Sequence, residues 1–276
     1  MKIPLFYVDA FTSEVFKGNP AGVCLLESWL PQEVLQSIAS EHNLSETAFV
    51  VKNHDVFQIK WFTPKTEVDL CGHATLGAAH VLFKIYNFGS KPIQFQSKSG
   101  ELTVSQASDG KITLNFPVIP YMPMEKSAEL SEALGKEPLE LYTSSKVVAV
   151  YKTEKDIQKL NPDFEKLKRL DIRGVVATAP GSDCDYVLRF FAPKVGINED
   201  PVTGSAQSVI IPYWSKRLGK QKMFSRQLSQ RTGEIWTEHA GNRVLISGYG
   251  IIYMQGTIQI TIKQPDTLMP FTFGDK

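Results

Sequence analysis

A weak internal repeat constrains this chain more than any other feature. Setting residue n against residue n+132 lays Glu67-Val68-Asp69-Leu70-Cys71-Gly72-His73-Ala74 over Glu199-Asp200-Pro201-Val202-Thr203-Gly204-Ser205-Ala206. Glu, Gly and Ala coincide, and each segment opens an apolar run with helical spacing, residues 74–86 and 205–218. Gly219 stops the second run. Downstream, Lys111-Ile112-Thr113-Leu114 falls on Arg243-Val244-Leu245-Ile246, and Ser99-Gly100-Glu101-Leu102 matches Thr232-Gly233-Glu234-Ile235 with a one-residue slip. Upstream, Trp61-Phe62-Thr63-Pro64-Lys65 matches Phe190-Phe191-Ala192-Pro193-Lys194 at an offset of 129, so the second copy carries three extra residues before its helix. Each match is weak alone. Their shared order, aromatic-Pro strand, Gly turn, helix, Gly-Glu strand, last strand, is hard to obtain by chance.

The rest of the pattern fits two α+β halves. Short β-type segments occupy residues 5–8, 23–26, 48–51, 57–62, 93–96, 102–106 and 111–116, then 147–151, 175–178, 186–191 and 244–247. Residues 33–41 add an amphipathic helix. The expected division is 1–118 and 119–276, with the extreme C-terminus packing back on the first domain. Pro117, Pro120 and Pro123 disfavour a continuous helix or central strand at the junction.

Charge and cysteine usage narrow the partners. Thirty Lys+Arg against 29 Asp+Glu leave a formal charge of +1, without the basic excess that nucleic acid or an anionic membrane surface requires. Three widely spaced cysteines, Cys24, Cys71 and Cys184, form no disulfide framework or metal knuckle and point to a reducing, cytoplasmic setting. The apolar run after Met1 is too short for a signal peptide, and no stretch reaches the roughly 18 apolar residues of a membrane span. HExxH and similar ligand spacings are absent, so no metal is expected.

A glycine turn that opens a helix presents free N–H groups and the positive end of the helix dipole, which suits a carboxylate or phosphate. Two homologous domains carry one such end each, at Gly72 and Gly204; facing each other across a cleft, they would grip a small acid. Glycines that merely shape a helix start are the bland alternative. The first turn offers Cys71 and His73, the second Asp200, Thr203 and Ser205, all able to hydrogen-bond a substrate or move protons. Glu46 stands at a helix-to-strand junction, where desolvation would raise its pKa; composition alone favours a solvated loop glutamate. Asn19, in Gly18-Asn19-Pro20-Ala21-Gly22, is explained equally well by a ligand contact or by turn chemistry.

At these residues the sequence resembles the phenazine-biosynthesis PhzF-like isomerases, which share the diaminopimelate epimerase fold. The motifs are Asp9-Ala10-Phe11-Thr12, Gly18-Asn19-Pro20-Ala21, Ser45-Glu46-Thr47-Ala48-Phe49, Trp61-Phe62-Thr63-Pro64, Leu70-Cys71-Gly72-His73-Ala74-Thr75, Ser99-Gly100-Glu101-Leu102 and Glu199 through Ala206, in family order across nearly the whole chain. The first half is most similar to the branch containing the vertebrate MAWD-binding protein. The resemblance implies an α+β fold of two pseudo-symmetric domains, each a β-barrel-like sheet around a central helix, with the site between them. It implies Glu46 as proton shuttle, His73 and Asp200 as its assistants, and Thr203, Gly204 and Ser205 joining Gly72 in holding substrate near Asn19. Ser205 is grouped with the catalytic set on this basis. No metal or organic cofactor is implied, and a homodimer is. The expected substrate is a small carboxylate-bearing metabolite.

The epimerase relatives use two cysteines, one on each matched turn. Here Cys71 faces Thr203 in the repeat, so a two-thiol mechanism is closed off. Two other readings stand beside the isomerase: a binding or scaffold protein that keeps the fold without turnover, and a hydrolase built on Ser205, His73 and Asp200, although GxSxG is missing.

Overall fold

The computed structural model describes residues 1–86 and 91–261. Strands Lys2–Ala10, Asn19–Leu26, Glu46–Asn53, Val56–Phe62, Ile93–Ser97, Gly100–Gln106 and Ile112–Pro117 lie side by side in that order. Successive pairings run antiparallel, parallel, antiparallel, parallel, antiparallel, antiparallel. Strands Glu140–Thr143, Val147–Val150, Val175–Pro180, Tyr186–Ala192, Lys222–Gln227, Gly233–Ala240 and Arg243–Gly248 repeat that succession step for step. The three extra residues of the second copy fall between Lys194 and Glu199, where the 3-10 turn Pro193–Val195 ends and the next strand begins.

The two last strands pair with each other antiparallel, and Leu114 lies opposite Ile246. These residues are 132 apart, so equivalent positions meet and a pseudo-twofold axis passes between them. The halves are also exchanged at their ends. Met122–Met124, which follows the first half's last strand, pairs with Glu140–Thr143 of the second half. Gly250–Gln259, which follows the second half's last strand, returns to pair with Lys2–Ala10. Pro123 is tolerated because its strand is a three-residue edge. Residues 262–276, the extreme C-terminus, lie outside the described residues.

The strands of both halves join in one continuous sheet, and those of each half curl around one helix. In helix α2 (Gly72–Tyr86), which follows α1 (Gln32–His42), Ala74, Leu76, Ala78, Ala79, Val81 and Leu82 are all buried, so the helix is apolar on every side and runs through an interior. Its counterpart in the second half, α6 (Gly204–Leu218), is buried from Ala206 through Ile211. The core around these two helices is continuous across both halves. Outer layers are separate. Helix α1 covers one face of the first half, and the short helices α3 (Ala128–Leu134), α4 (Glu154–Gln158) and α5 (Phe164–Arg169) cover the second.

Pro212 stands inside α6 and cannot donate to the carbonyl four residues back, that of Ser208. That carbonyl accepts from Ile119 N at 3.0 Å instead. The proline-rich crossover between the halves is thereby fastened to the helix at the acceptor that Pro212 leaves open. A second tie joins the halves near the site. Phe11, fully buried in the left-handed region at φ 63°, accepts at its carbonyl from Glu234 N, and Asp9 pairs with Arg231 at 2.7 Å.

Among the described residues no helix is long and apolar enough to cross a membrane. Cys24 is buried within a strand, and Trp214 stacks on Tyr186 in the core at 5.6 Å, so both serve packing.

Candidate active site

The N-termini of α2 and α6 abut on the pseudo-twofold axis. A Cβ built on Gly72 would lie 3.3 Å from the Cα of Gly204, and the converse distance is the same. Glycine at both positions is what allows the two helix ends to come so close. Thr203 precedes α6 but does not cap it with its side chain. The opening N–H groups of that helix are left to an outside acceptor, with the helix dipole behind them.

Asn19, Asp200, Thr203 and Gln227 form one buried network beside these ends. Asn19 Nδ2 donates to Asp200 Oδ1 at 2.7 Å and to the Val202 carbonyl at 2.9 Å. Both partners only accept, which fixes which end of the amide faces them and uses both of its hydrogens. Thr203 Oγ1 donates to Asp200 Oδ2 at 2.5 Å. Gln227 accepts from Thr203 N at 2.8 Å and donates to the Asp200 carbonyl at 2.7 Å. It is fully buried, and nothing in the sequence marked it. Burial pushes the Asp200 carboxyl up to about 6, with the Thr203 and Asn19 hydrogen bonds and Lys146 pulling the other way.

His73 sits on the first turn of α2 between Cys71 and Glu46. Its Nδ1 lies 3.5 Å from Cys71 Sγ and 3.2 Å from Asn19 Nδ2. Burial, reinforced by Glu46, holds the Cys71 thiol well above its usual range, so it is protonated. The protonated Cys71 thiol is the donor facing Nδ1, so Nδ1 is the acceptor and the neutral ring carries its proton on Nε2, while the Asn19 amide has both hydrogens committed to Asp200 and Val202. Burial lowers His73 to about 3, which keeps the ring neutral.

His73 Nε2 lies 3.3 Å from Glu46 Oε2, in contact but out of hydrogen-bonding alignment. Glu46 is the first residue of its strand, directly after the αL turn at Asn43 that ends α1, and its side chain is 13% exposed. Burial, with Asp200 nearby, raises its carboxyl to about 8. Two buried polar atoms of the cluster, Asn19 Oδ1 and His73 Nε2, have no hydrogen-bond partner among the described residues. Each is a group that a polar ligand would satisfy.

Glu46, Cys71 and His73 bring one ligand atom apiece within 4.8 Å of one another. The donor set does not fit a metal. The imidazole turns Nδ1 to Cys71 and Nε2 to Glu46, so it stands between the other two donors and no single ion meets all three.

Seven of the eight residues singled out from sequence therefore converge: Asn19, Glu46, Gly72, His73, Asp200, Thr203 and Gly204. Ser205 lies on the same helix turn, half-buried, but its hydroxyl has no hydrogen-bond partner among the described residues. A serine nucleophile needs a base within reach, and neither His73 nor Asp200 bonds to it here. Two shallow surface hollows, one beside Lys152, Glu154 and Ser182, the other beside Trp29, Lys60 and Lys98, hold no comparable buried acid–base pair.

Two barrel-like halves with central helices meeting end to end, and a buried carboxyl–imidazole pair at the junction, define an epimerase-type architecture. The chain belongs to the phenazine biosynthesis-like protein family, whose model matches residues 8–256. It is 45% identical over 262 residues to an uncharacterized isomerase of Pseudomonas aeruginosa, covering 95% of this chain and all of that one. It is 39% identical over 289 residues to a human phenazine biosynthesis-like domain-containing protein, covering 94% of this chain and 99% of the other. A crystal structure of a PhzF-family protein from Enterococcus faecalis superposes with a TM-score of 0.92 at 45% identity, over 94% of this chain and all of that one. The fold alone is shared with a hydroxyproline epimerase of Agrobacterium vitis, at a TM-score of 0.59 and 12% identity over 93% of this chain and 92% of the other.

Proposed function

We propose that the protein is a cofactor-independent isomerase that moves a proton on a small carboxylic acid, with Glu46 as its general acid/base. The observation that carries this reading is the contact of Glu46 Oε2 with His73 Nε2 at 3.3 Å, in a buried setting beside the abutting helix ends. A carboxyl raised to about 8 holds a proton at neutral pH yet is a stronger base when it loses it. Roughly one tenth is ionised at pH 7. The names of the Pseudomonas relatives and the epimerase fold support an isomerase-type enzyme.

The substrate carboxylate binds the N–H groups opening α6 and α2. Negative charge that develops toward it during proton removal is stabilised there. Glu46 takes a proton from a neighbouring carbon, and the C–H electron pair becomes part of a new double bond. The displaced π pair then takes the proton back from Glu46 at another carbon. His73, neutral with Nε2–H toward Glu46, steadies the carboxylate while the proton is away. Asp200, held by Asn19 and Thr203, orients the substrate from the other half, where Ser205 adds a hydroxyl.

Proton return to the same face favours double-bond isomerisation over epimerisation. Thr47 pairs with Phe62, and Val175 pairs with Phe191, the equivalent of Phe62. The position mirroring Glu46 is therefore Gly174, and the one mirroring Cys71 is Thr203, neither of which is a base.

The division into domains 1–118 and 119–276, a homodimer and a cytoplasmic location belong to the same proposal. Incubation with a panel of unsaturated small acids in deuterated buffer tests the chemistry. At least one acid exchanges a carbon-bound proton with the wild type and none with Glu46→Gln. Equal exchange by the folded variant contradicts the assignment.

A further inference from the structure

The pseudo-twofold axis relates two unlike sides of the site. Ala21 pairs with Glu46 in the first half. In the second half the same strand relationship, Val147 opposite Val175, places Lys146 beside Gly174. A lysine thus stands next to the position that mirrors the acid/base, and Ser205 mirrors His73 at the repeat offset of 132.

Lys146 is half-buried, with its Nζ 5.9 Å from the centre of the Phe190 ring, and Phe190 pairs in register with Asp200. Neither Lys146 nor its neighbour Arg173 makes an ion pair or hydrogen bond among the described residues. Asp200, whose charge acts on Lys146, already has both carboxylate oxygens engaged by Asn19 and Thr203. A partly buried ammonium that feels Asp200 only at a distance, makes no direct ion pair and is crowded by a second cation, gains from an anion brought to it.

We infer that Lys146, with Arg173 beside it, binds a second anionic group of the substrate, so that the substrate class is a dicarboxylic acid. This rests on the reading of the junction as the isomerase site. One carboxylate takes the helix ends, and the other reaches Lys146 on the side where Glu46 has no counterpart. The division of labour is physical: the first half supplies the acid–base pair, and the second supplies unpaired positive charge. Burial and Arg173 lower Lys146 to about 8, which still leaves it charged at neutral pH.

The test uses the full chain and isothermal titration at pH 7 with succinate, glutarate and adipate against butyrate, pentanoate and hexanoate. At least one diacid binds about tenfold or more tightly than the monoacid of equal chain length, because a partly buried charge-assisted contact is gained. Lys146→Met abolishes that preference and leaves monoacid binding unchanged. Arg173→Gln, on an exposed side chain, weakens it in part and guards against misfolding of the first variant. Glu46→Gln keeps the preference. A wild type with no diacid preference, including one that binds no diacid at millimolar concentration, overturns the inference. So does a preference that survives both substitutions. The two readings fail separately. Exchange lost with Glu46→Gln but no diacid preference leaves only the proton transfer standing. A diacid preference without any exchange leaves only the anion site.

Discussion

Gly72 and Gly204, equivalent residues of the two halves, touch across the pseudo-twofold axis so closely that a methyl group on either would lie 3.3 Å from the Cα of the other. What gives way is backbone on both sides, so the helix ends have to separate by a few tenths of an ångström. Gly204→Ala is therefore expected to weaken small-acid binding and proton exchange about tenfold or more, while costing only about 1 kcal/mol of stability, since overpacking is partly offset by alanine's helix propensity. Calorimetric binding and a denaturation midpoint separate the two effects. Unaltered binding would show that the gap between the ends does not matter.

Glu46 shapes stability as well as chemistry. Its folded pKa, about 8, lies above the ordinary carboxyl value, so the folded state holds the proton more tightly. Stability from this group is fully present below the unfolded pKa and is lost as pH rises toward 8. Glu46→Gln, a neutral stand-in, should match the wild type near pH 4 and be more stable at pH 8 by on the order of 2–4 kcal/mol. Urea midpoints across this range check it. A wild type that gains on the variant as pH rises would contradict the buried, raised carboxyl.

Gln227 holds the Asp200 turn from below, through Thr203 N and the Asp200 carbonyl. Gln227→Leu leaves both backbone groups unsatisfied in a buried setting, and a loss of about 1–3 kcal/mol is expected. The loosened turn should also lower substrate affinity. A variant with wild-type stability would mean that water or another side chain takes over both bonds.

Much of this fold was legible because its signals are local. The Gly72 and Gly204 turns, the apolar helices behind them and the β-type runs all sit in short windows, and the offset of 132 gave them order. The strand at Lys222–Gln227 is not legible in the sequence because Lys-Met-Phe-Ser-Arg-Gln has no β-branched residue, though every second side chain is buried. The short helices α3, α4 and α5, of seven, five and six residues, are too brief to show a period in the sequence.

The site divides the same way. Asn19, Glu46, His73 and Asp200 were recognisable from motifs, but their contacts span up to 181 residues and depend on the register of paired strands. Gln227 and Lys146 carry no motif at all. Gln227 acquires meaning only from its place under the Asp200 turn, and Lys146 only from the strand pairing that mirrors Ala21 beside Glu46. The repeat was visible along the chain. That Leu114 would face Ile246, closing the repeat into a pseudo-twofold, depends on tertiary pairing that no local window contains.

The central claim is that the buried Glu46 carboxyl is the group that takes the proton. The most direct measurement is the pH dependence of wild-type proton exchange at subsaturating substrate, which reports the free enzyme's essential base. With Glu46 at about 8, exchange should rise about tenfold per pH unit through the neutral range and level off above that value. A profile already flat from pH 6 upward, as an ordinary exposed carboxylate would give, contradicts it.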